Sequence, residues 1–228
     1  MRGGGITFLI IRFEFNQGHG NARRAGLSNC SNELVALMDA DDISVSTRFE
    51  NQLNIFMSDN KISIVGGQVS EFIDDENNPV SFRFVPTVDN EIKTFLKKRC
   101  PFNQPTVMFR KRDVELVGGY IDWFCNEDYY LWIRMTLANM KMANLDCVLV
   151  NMRTSNDYYQ RRGGIKYYRS EIKLQKYMLQ NKVIGLMLYF CNVTKRFIVQ
   201  VLFTNIMRGW IFKKFAREKN VLFRINEK

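Results

Sequence analysis

The stretch Leu34-Val-Ala-Leu-Met38 is followed without a break by Asp39-Ala40-Asp41-Asp42. The first five residues are apolar, as in a buried strand, so the pattern predicts a strand with three carboxylates at its carboxyl end. In open α/β sheets, ligands bind beyond the carboxyl ends of the strands. Clustered carboxylates repel one another, and they suit Mg²⁺ or Mn²⁺ when the phosphates of a substrate complete the metal shell. A solvated loop that caps a helix is the simpler alternative, and this stretch alone does not decide between the two.

Strand and helix patterns alternate on both sides of that stretch. Strands are predicted at 6–11, 34–38, 62–65, 106–109 and 147–151, helices at 22–30, 90–98, 127–138 and 165–179, and a hairpin that pairs 69–73 with 80–84. This alternation predicts an α/β fold in which helices flank a mixed, mostly parallel sheet. We expect one domain over residues 1–180, followed by a basic amphipathic helical tail over residues 181–228.

Composition excludes several classes of protein. With 228 residues and 46% hydrophobic residues, the chain has enough apolar material for a core, which excludes a disordered chain. The five cysteines form no C-x-x-C pair and are odd in number, which argues against a zinc ribbon and a disulfide framework. His19 is the only histidine, so acid–base chemistry is expected to use carboxylates.

Charge is distributed unevenly along the chain. Residues 1–150 hold 16 basic and 19 acidic residues, whereas residues 151–228 hold 17 basic and 4 acidic residues. A basic terminal third is typical of a segment that meets phosphates, on a membrane surface or on nucleic acid. Apolar stretches of the tail are shorter than the roughly 20 residues of a spanning helix, so the tail is expected to lie on an anionic membrane or to pack on the domain.

Two further motifs have both a functional and a structural interpretation. Glu127-Asp128 begins a predicted helix, where acids are favoured by the helix dipole and where one of them is also suitably held to act as a general base. Arg161-Arg162-Gly163-Gly164 suits a phosphate clamp, in which arginines bind oxygens and glycines let the backbone approach. Neither motif is decisive when it is taken alone.

The order and spacing of the motifs carry more information than any one of them. They run as Asn16-x-Gly18, Ala22-Arg23, Gly26-Leu27, Asp39-Ala-Asp-Asp42, Arg48-Phe49, Gln52, Pro105-Thr-Val-Met-Phe-Arg110, Val117-Gly-Gly-Tyr120, Glu127-Asp-Tyr-Tyr-Leu-Trp132, Met152-Arg153 and Gln160-Arg-Arg-Gly-Gly164. This series resembles family 2 glycosyltransferases with the GT-A fold, in particular bacterial non-processive members that build surface polysaccharide.

The resemblance implies roles for individual residues. Asp39 and Asp41 match the family's DxD pair, with Asp41 as the main ligand of a divalent metal, Mg²⁺ or Mn²⁺, on the donor diphosphate. Asp128 matches the base that activates the acceptor hydroxyl, with Glu127 beside it, in a reaction that inverts the anomeric centre. The remaining implied residues are Arg23, Arg161 and Arg162 for the nucleotide sugar, and Trp132, Gly163 and Gly164 on the acceptor side.

The resemblance also implies partners and a location. The donor is a nucleotide-diphosphate sugar and the acceptor a glycan or lipid-linked glycan, at a cytoplasmic location that includes the inner face of the cell membrane.

Two βα units that carry nucleoside contacts in the family have no counterpart before Asn16. From this departure we expect the chain as written not to transfer sugar, and an inactive remnant is one alternative. A basic module for anionic membranes or nucleic acid is the other, although the aromatic and acidic clusters lie in the part with net negative charge, so no nucleic acid is expected.

Overall fold

The computed structural model describes residues 8–155 and 163–203. Its helices are α1 (His19–Ser28), α2 (Arg48–Ser58), α3 (Asp89–Leu96), α4 (Lys111–Leu116), α5 (Glu127–Leu137), α6 (Ile165–Gln180) and α7 (Leu186–Phe197), with a 3-10 turn at Gln104–Thr106 and a π-helical turn at Ile198–Leu202. Its strands are β1 (Leu34–Ala36), β2 (Ile43–Ser44), β3 (Ile62–Phe72), β4 (Ser81–Arg83), β5 (Met108–Arg110) and β6 (Lys141–Arg153). Every predicted helix and the predicted hairpin are present.

One mixed sheet organises these elements. The strand order is β1-β5-β3-β6-β2, and β4 pairs with β3. The long central strands β3 and β6 are parallel, whereas β5 runs antiparallel to both β1 and β3, and β2 and β4 run antiparallel to their partners. The predicted class, a mixed sheet flanked by helices, is confirmed, but less of the pairing is parallel than we expected. A short hairpin connection such as that from β3 to β4 can join only antiparallel strands.

Strand directions decide where the acidic loop lies. Since β1, β3 and β6 run in the same direction, their carboxyl ends meet at one edge of the sheet. The loop after β1, the end of β3 at Phe72 and the end of β6 at Arg153 therefore lie together. The start of α3 lies at the opposite end of β6, where the backbone N–H of Met142 donates to the carboxylate of Asp89 (2.8 Å).

The main core lies between the sheet and helices α5 and α6. It contains fully buried side chains from β3, α3, β5 and α5, among them Ile64, Leu96, Phe109 and Trp132. A smaller cluster lies under α2 and includes Phe56 and Val65. Both clusters come from apolar positions that the sequence pattern identifies, as expected for elements with one buried face.

The prediction of a buried strand at residues 6–11 was wrong for its described part. Residues 8–11 have no strand assignment, and Phe8 and Ile10 are 84% and 89% exposed. Within the described ranges, no strand pairs with them. An apolar run predicts a buried strand only if a neighbouring strand supplies hydrogen bonds and a face to cover it.

The tail continues the helical layer as far as the structure describes it. On α7, the side-chain amide of Asn192 donates to the carbonyl of Lys97 and to the side-chain oxygen of Gln175 (both 2.9 Å), and Arg196 forms an ion pair with Glu171 of α6. In the part of the chain that the structure describes, no helix combines the length and the apolar character needed to cross a bilayer. Residues 204–228 of the predicted tail lie outside the described residues.

Candidate functional site

The acidic loop after β1 is tied to the end of β6. The backbone N–H of Arg153 donates to Asp42 Oδ1 (2.9 Å), and the Arg153 guanidinium donates to the carbonyl of Asp41 (3.3 Å). A further bond joins the backbone N–H of Asp42 to the carbonyl of Asp39 (3.3 Å). Asp42 thus holds the loop in place, whereas Asp39 and Asp41 remain exposed at the strand edge.

Asp42 has an unusual electrostatic environment. Burial, reinforced by the negative charges of Asp39 and Asp41, raises the pKa of Asp42 to about 6, although the Arg153 hydrogen bond opposes the shift. Its second oxygen, Oδ2, is buried without a hydrogen-bond partner among the described residues. A carboxyl group in this position is suited to respond to a cation bound beside it, because a cation offsets the repulsion between the three acids.

The second acidic motif lies at the start of α5. Glu127 is only 4% exposed, whereas Asp128 is half-buried and accepts a hydrogen bond from the backbone N–H of Tyr129 (2.6 Å). Burial and the charge of Asp128 raise the pKa of Glu127, and the positive charge of Arg23 opposes that shift. A buried carboxylate at a helix start is thus kept near a cation supplied by a different helix.

Arg23 on α1 joins the two acidic motifs. Its guanidinium forms an ion pair with Glu127 and lies 4.0 Å from Asp39. His19 Nδ1, one turn earlier on the same helix, lies 3.9 Å from Glu127 Oε1. Carboxylates that are separated by 88 positions in the sequence therefore border one site, with α1 between them.

The packing of α1 against the loop before α5 fixes this arrangement. The Arg24 guanidinium donates to the carbonyl of Tyr120 (2.9 Å). At Gly20, a Cβ atom would lie 2.8 Å from the Cα of Asp122, so only glycine permits the two backbones to approach this closely. Gly18, at φ 83°, begins the turn into α1 in a conformation that favours glycine.

The residues present fit a divalent metal that binds together with its phosphate ligands. Asp39 and Asp41 offer hard carboxylate oxygens, and the buried Asp42 Oδ2 has no protein partner within the described ranges. Nowhere in residues 8–155 and 163–203 do three His, Cys, Asp or Glu side chains gather as a metal site. Most of an octahedral shell would thus have to come from a diphosphate and water, as is usual for Mg²⁺.

The remaining predicted residues have different outcomes. Gly164, at φ 88°, is the N-cap of α6, and Gly163 precedes it. Arg161 and Arg162 lie outside the described residues. For Trp132, the structure corrects the expectation of a place on the acceptor side. Its ring is fully buried in the core and packs against Phe102 at 5.4 Å between ring centroids.

Two residues of the site had no assigned role in the sequence. His19 approaches Glu127, and Arg153 anchors the acidic loop. For Arg153, a signal was present, because Met152-Arg153 is one of the spaced motifs, but its role depends on the pairing of β2 with β6. For His19, the only signal was its position just before the predicted helix that begins with Ala22-Arg23.

Comparisons with known proteins identify the family of the chain. Residues 5–115 match the family model described as glycosyl transferase family 2. The chain is 37% identical over 214 residues to UDP-Gal:alpha-D-GlcNAc-diphosphoundecaprenol beta-1,3-galactosyltransferase of Escherichia coli, which covers 93% of this chain and 76% of that protein. It is 36% identical over 188 residues to the amylovoran biosynthesis glycosyltransferase AmsE of Erwinia amylovora, which covers 81% of this chain and 70% of that protein.

A solved structure shares the fold. The crystal structure of Staphylococcus aureus TarS superposes with a TM-score of 0.55 at 13% identity, covering 87% of this chain and 36% of that one. This likeness agrees with the predicted GT-A-like architecture. The sequence similarity, which extends over most of the chain, also identifies the family. By its sequence relatives, the chain belongs to glycosyl transferase family 2.

Proposed function

We propose that this glycosyltransferase moves a sugar from a nucleotide-diphosphate sugar to a hydroxyl of a lipid-linked glycan during the synthesis of a cell-surface polysaccharide. The relatives support the class of substrates, since one is named for a UDP-sugar donor and a diphosphoundecaprenol acceptor, and another for amylovoran biosynthesis. The donor is a UDP-hexose under this proposal, and the anomeric centre is inverted.

One observation supports this proposal above the others. Arg23 pairs with Glu127 and lies 4.0 Å from Asp39, so the acids after β1 and the acids of α5 border the same space. A transferase needs such a juxtaposition, with a donor diphosphate at one acidic group and the acceptor hydroxyl at the other.

On the donor side, we assign Asp39 and Asp41 to the diphosphate through a divalent metal. When bound, the metal would neutralise the negative charge that develops on the leaving nucleotide diphosphate. Arg23 is assigned to the same phosphates because it is the cation nearest Asp39 among the described residues. Arg161 and Arg162 remain proposed phosphate ligands from the sequence motif alone.

On the acceptor side, we assign the general base to Asp128. Glu127 is buried and already paired with Arg23, whereas Asp128 forms no ion pair within the described parts of the chain. Its half-buried carboxylate, at the positive end of the helix dipole, is free to take the proton of the attacking hydroxyl. Glu127 then acts as the residue that positions Arg23.

The test uses the purified full chain with UDP-galactose or UDP-glucose and a short-chain N-acetylglucosaminyl diphosphate lipid. The missing nucleoside contacts before Asn16 predict no transfer, whereas the two acidic motifs that border one site favour transfer. On the second ground we expect a disaccharide whose new linkage has the anomeric configuration opposite to that of the donor, as measured by mass spectrometry and NMR. Asp41→Asn should lower turnover by about 10²-fold or more, whereas Asp59→Asn at the opposite end of the sheet should not. No product with either donor, or equal rates for Asp41→Asn and wild type, would overturn the proposal.

A second measurement isolates the metal. Mn²⁺ should bind weakly alone and more tightly with UDP, because the phosphates supply ligands that the two aspartates lack. Titration of the wild type and of Asp41→Ala, with and without UDP, measures this coupling. Equal Mn²⁺ affinity in both proteins would remove Asp41 from the metal site.

We also propose that the tail attaches the enzyme to an anionic membrane. The outward side of α7 is apolar, with Leu186, Met187 and Phe190 more than 60% exposed, and Lys195 lies in its last turn. An apolar helix face with nearby basic residues binds at the headgroup level of anionic bilayers. Met187→Glu with Phe190→Glu should abolish co-sedimentation with phosphatidylglycerol vesicles, and binding to neutral vesicles that ignores salt would contradict the idea.

A further inference from the structure

The first half of α6 lies against the loop that leads into the acidic start of α5. The hydroxyl of Ser170 donates to the carbonyl of Phe124 (2.6 Å) and accepts from the side-chain amide of Asn126 (3.2 Å). The indole N–H of Trp123 approaches the carbonyl of Ser170 (3.4 Å). Since Asn126 is two residues before Asp128, Ser170 fixes this part of α6 beside the proposed base.

Two lysines flank Ser170 on the same side of α6. Lys166 Nζ lies 4.2 Å from the ring centroid of Phe124, and Lys173 Nζ lies 4.5 Å from that of Trp123. They are four residues before and three residues after Ser170, one turn of helix on either side. Both ammonium groups therefore lie over the loop that precedes Asp128.

These two charges have no acidic counterpart among the residues that the structure describes. Throughout the described ranges, neither ammonium group lies within ion-pair distance of a carboxylate. The nearest acid of the same loop, Asp122, packs instead against Gly18 and Gly20 at the start of α1. A contact with a ring face uses the charge of an ammonium group but leaves its N–H donors available.

The fold itself does not require this arrangement. On α6, Ser170, Leu174 and Met178 are buried, whereas the side chains of Lys166 and Lys173 are exposed. Phe124 is 43% exposed although it is aromatic. Two cations that form no ion pair within the described ranges, beside exposed aromatic surface, suit a ligand with a doubly charged group next to an apolar one.

We propose that Lys166 and Lys173 bind the diphosphate of the acceptor, a saccharide linked through a diphosphate to a lipid, and that the Phe124 ring contacts the adjoining sugar or the start of the lipid. The inference rests on the proposed function and adds how the enzyme recognises the anionic part of its acceptor. Under this proposal the diphosphate lies on α6, and the sugar attached to it presents its hydroxyl to Asp128.

The test compares three soluble acceptors without vesicles: a short-alkyl N-acetylglucosaminyl diphosphate, the corresponding monophosphate and the neutral alkyl N-acetylglucosaminide. Affinities come from NMR titration and, for transfer, from acceptor KM. Lys166→Gln with Lys173→Gln should weaken diphosphate binding by about 10- to 100-fold, the usual worth of charge-assisted hydrogen bonds. Binding of the neutral glycoside and the donor KM should be unchanged.

Lys176→Gln is the matched control, since Lys176 is exposed on the same helix beyond the two rings. It should leave all three affinities unchanged, and Lys166→Arg with Lys173→Arg should retain most of the preference for diphosphate. An equal loss for the neutral acceptor, no loss for the diphosphate, or a loss seen only with anionic vesicles would overturn the inference. Because binding is measured directly, an enzyme that binds the diphosphate but transfers no sugar would instead contradict the proposed function.

Discussion

The guanidinium of Arg23 forms an ion pair with the carboxylate of Glu127, across 104 positions of sequence, and lies 4.0 Å from Asp39. Glu127 is buried, so its charge depends on this partner. The pair connects α1 with α5 and brings the two acidic motifs to one site. The integrity of the site therefore depends on a contact between two residues that are far apart in sequence.

Replacing Arg23 should disturb both stability and turnover. Arg23→Met leaves Glu127 buried without its cation, and we expect a loss of about 2–3 kcal/mol of unfolding free energy at pH 7.5. The loss should shrink in acid, because protonated Glu127 needs no cation. Thermal unfolding at several pH values measures this, with the exposed Arg112→Met as control. A loss independent of pH, or equal in both variants, would show that Glu127 does not depend on Arg23.

Asp128→Asn should lower kcat by about 10²–10⁴-fold, the usual contribution of a general base. The substitution preserves shape, so UDP should stabilise the variant against heat as much as it stabilises the wild type. Steady-state kinetics and thermal shifts with UDP separate the two effects. Near-normal turnover would move the base to another group.

Two glycines on α1 form a matched pair. In Gly20→Ala the new Cβ would meet the backbone of Asp122, whereas at Gly26 nothing lies within 4 Å of a Cβ. We expect Gly20→Ala to cost about 1–3 kcal/mol and to lower activity, and Gly26→Ala to be neutral or stabilising by about 0.5–1 kcal/mol. Chemical denaturation compares them, and equal effects would mean that α1 does not pack on the loop as described.

Asp42 should make stability depend on pH. Burial raises its folded-state pKa from 3.8 to about 6. Between these two pKa values Asp42 is ionised in the unfolded chain but still protonated in the folded protein. The stability that protonated Asp42 contributes therefore falls as the pH rises from about 4 and is fully lost above about 6. Asp42→Asn should therefore stabilise the protein at pH 7.5 by about 1 kcal/mol, reduced because the side chain is half-exposed, and should change little at pH 4. Denaturation at the two pH values tests this, and the same effect at both would exclude a shifted carboxyl group.

The buried ion pair between Arg196 and Glu171 should hold α7 on α6. Glu171 is 6% exposed, so Arg196→Met leaves an uncompensated buried charge and should cost about 3 kcal/mol. Adding Glu171→Gln should recover most of that loss, whereas the exposed Lys195→Met should cost little. Hydrogen exchange measures how firmly α7 is held on α6, and chemical denaturation measures the stability of each variant. Failure of the double variant to recover would show that lost packing, rather than the charge, is responsible.

Local sequence pattern predicted much of the fold and half of the site. The acids after Met38 and those at the start of α5 follow directly from an apolar run that ends in carboxylates and from the preference of acids for helix starts. Spacing of the motifs then indicated the family, because several short patterns in one order are far more specific than any single pattern. These features need no knowledge of which elements touch.

Only the tertiary structure decided which residues meet. Periodicity shows that a residue is apolar or that it begins a helix, but it does not show which strand lies beside it or which side chain faces a cavity. Trp132 follows an acidic helix start and is fully buried, whereas Phe8 and Ile10 lie in an apolar run and are exposed. The direction of strand pairing and the ion pair of Arg23 with Glu127 arise from long-range packing, which hydrogen bonding and burial fix only when the whole sheet and its helices have come together.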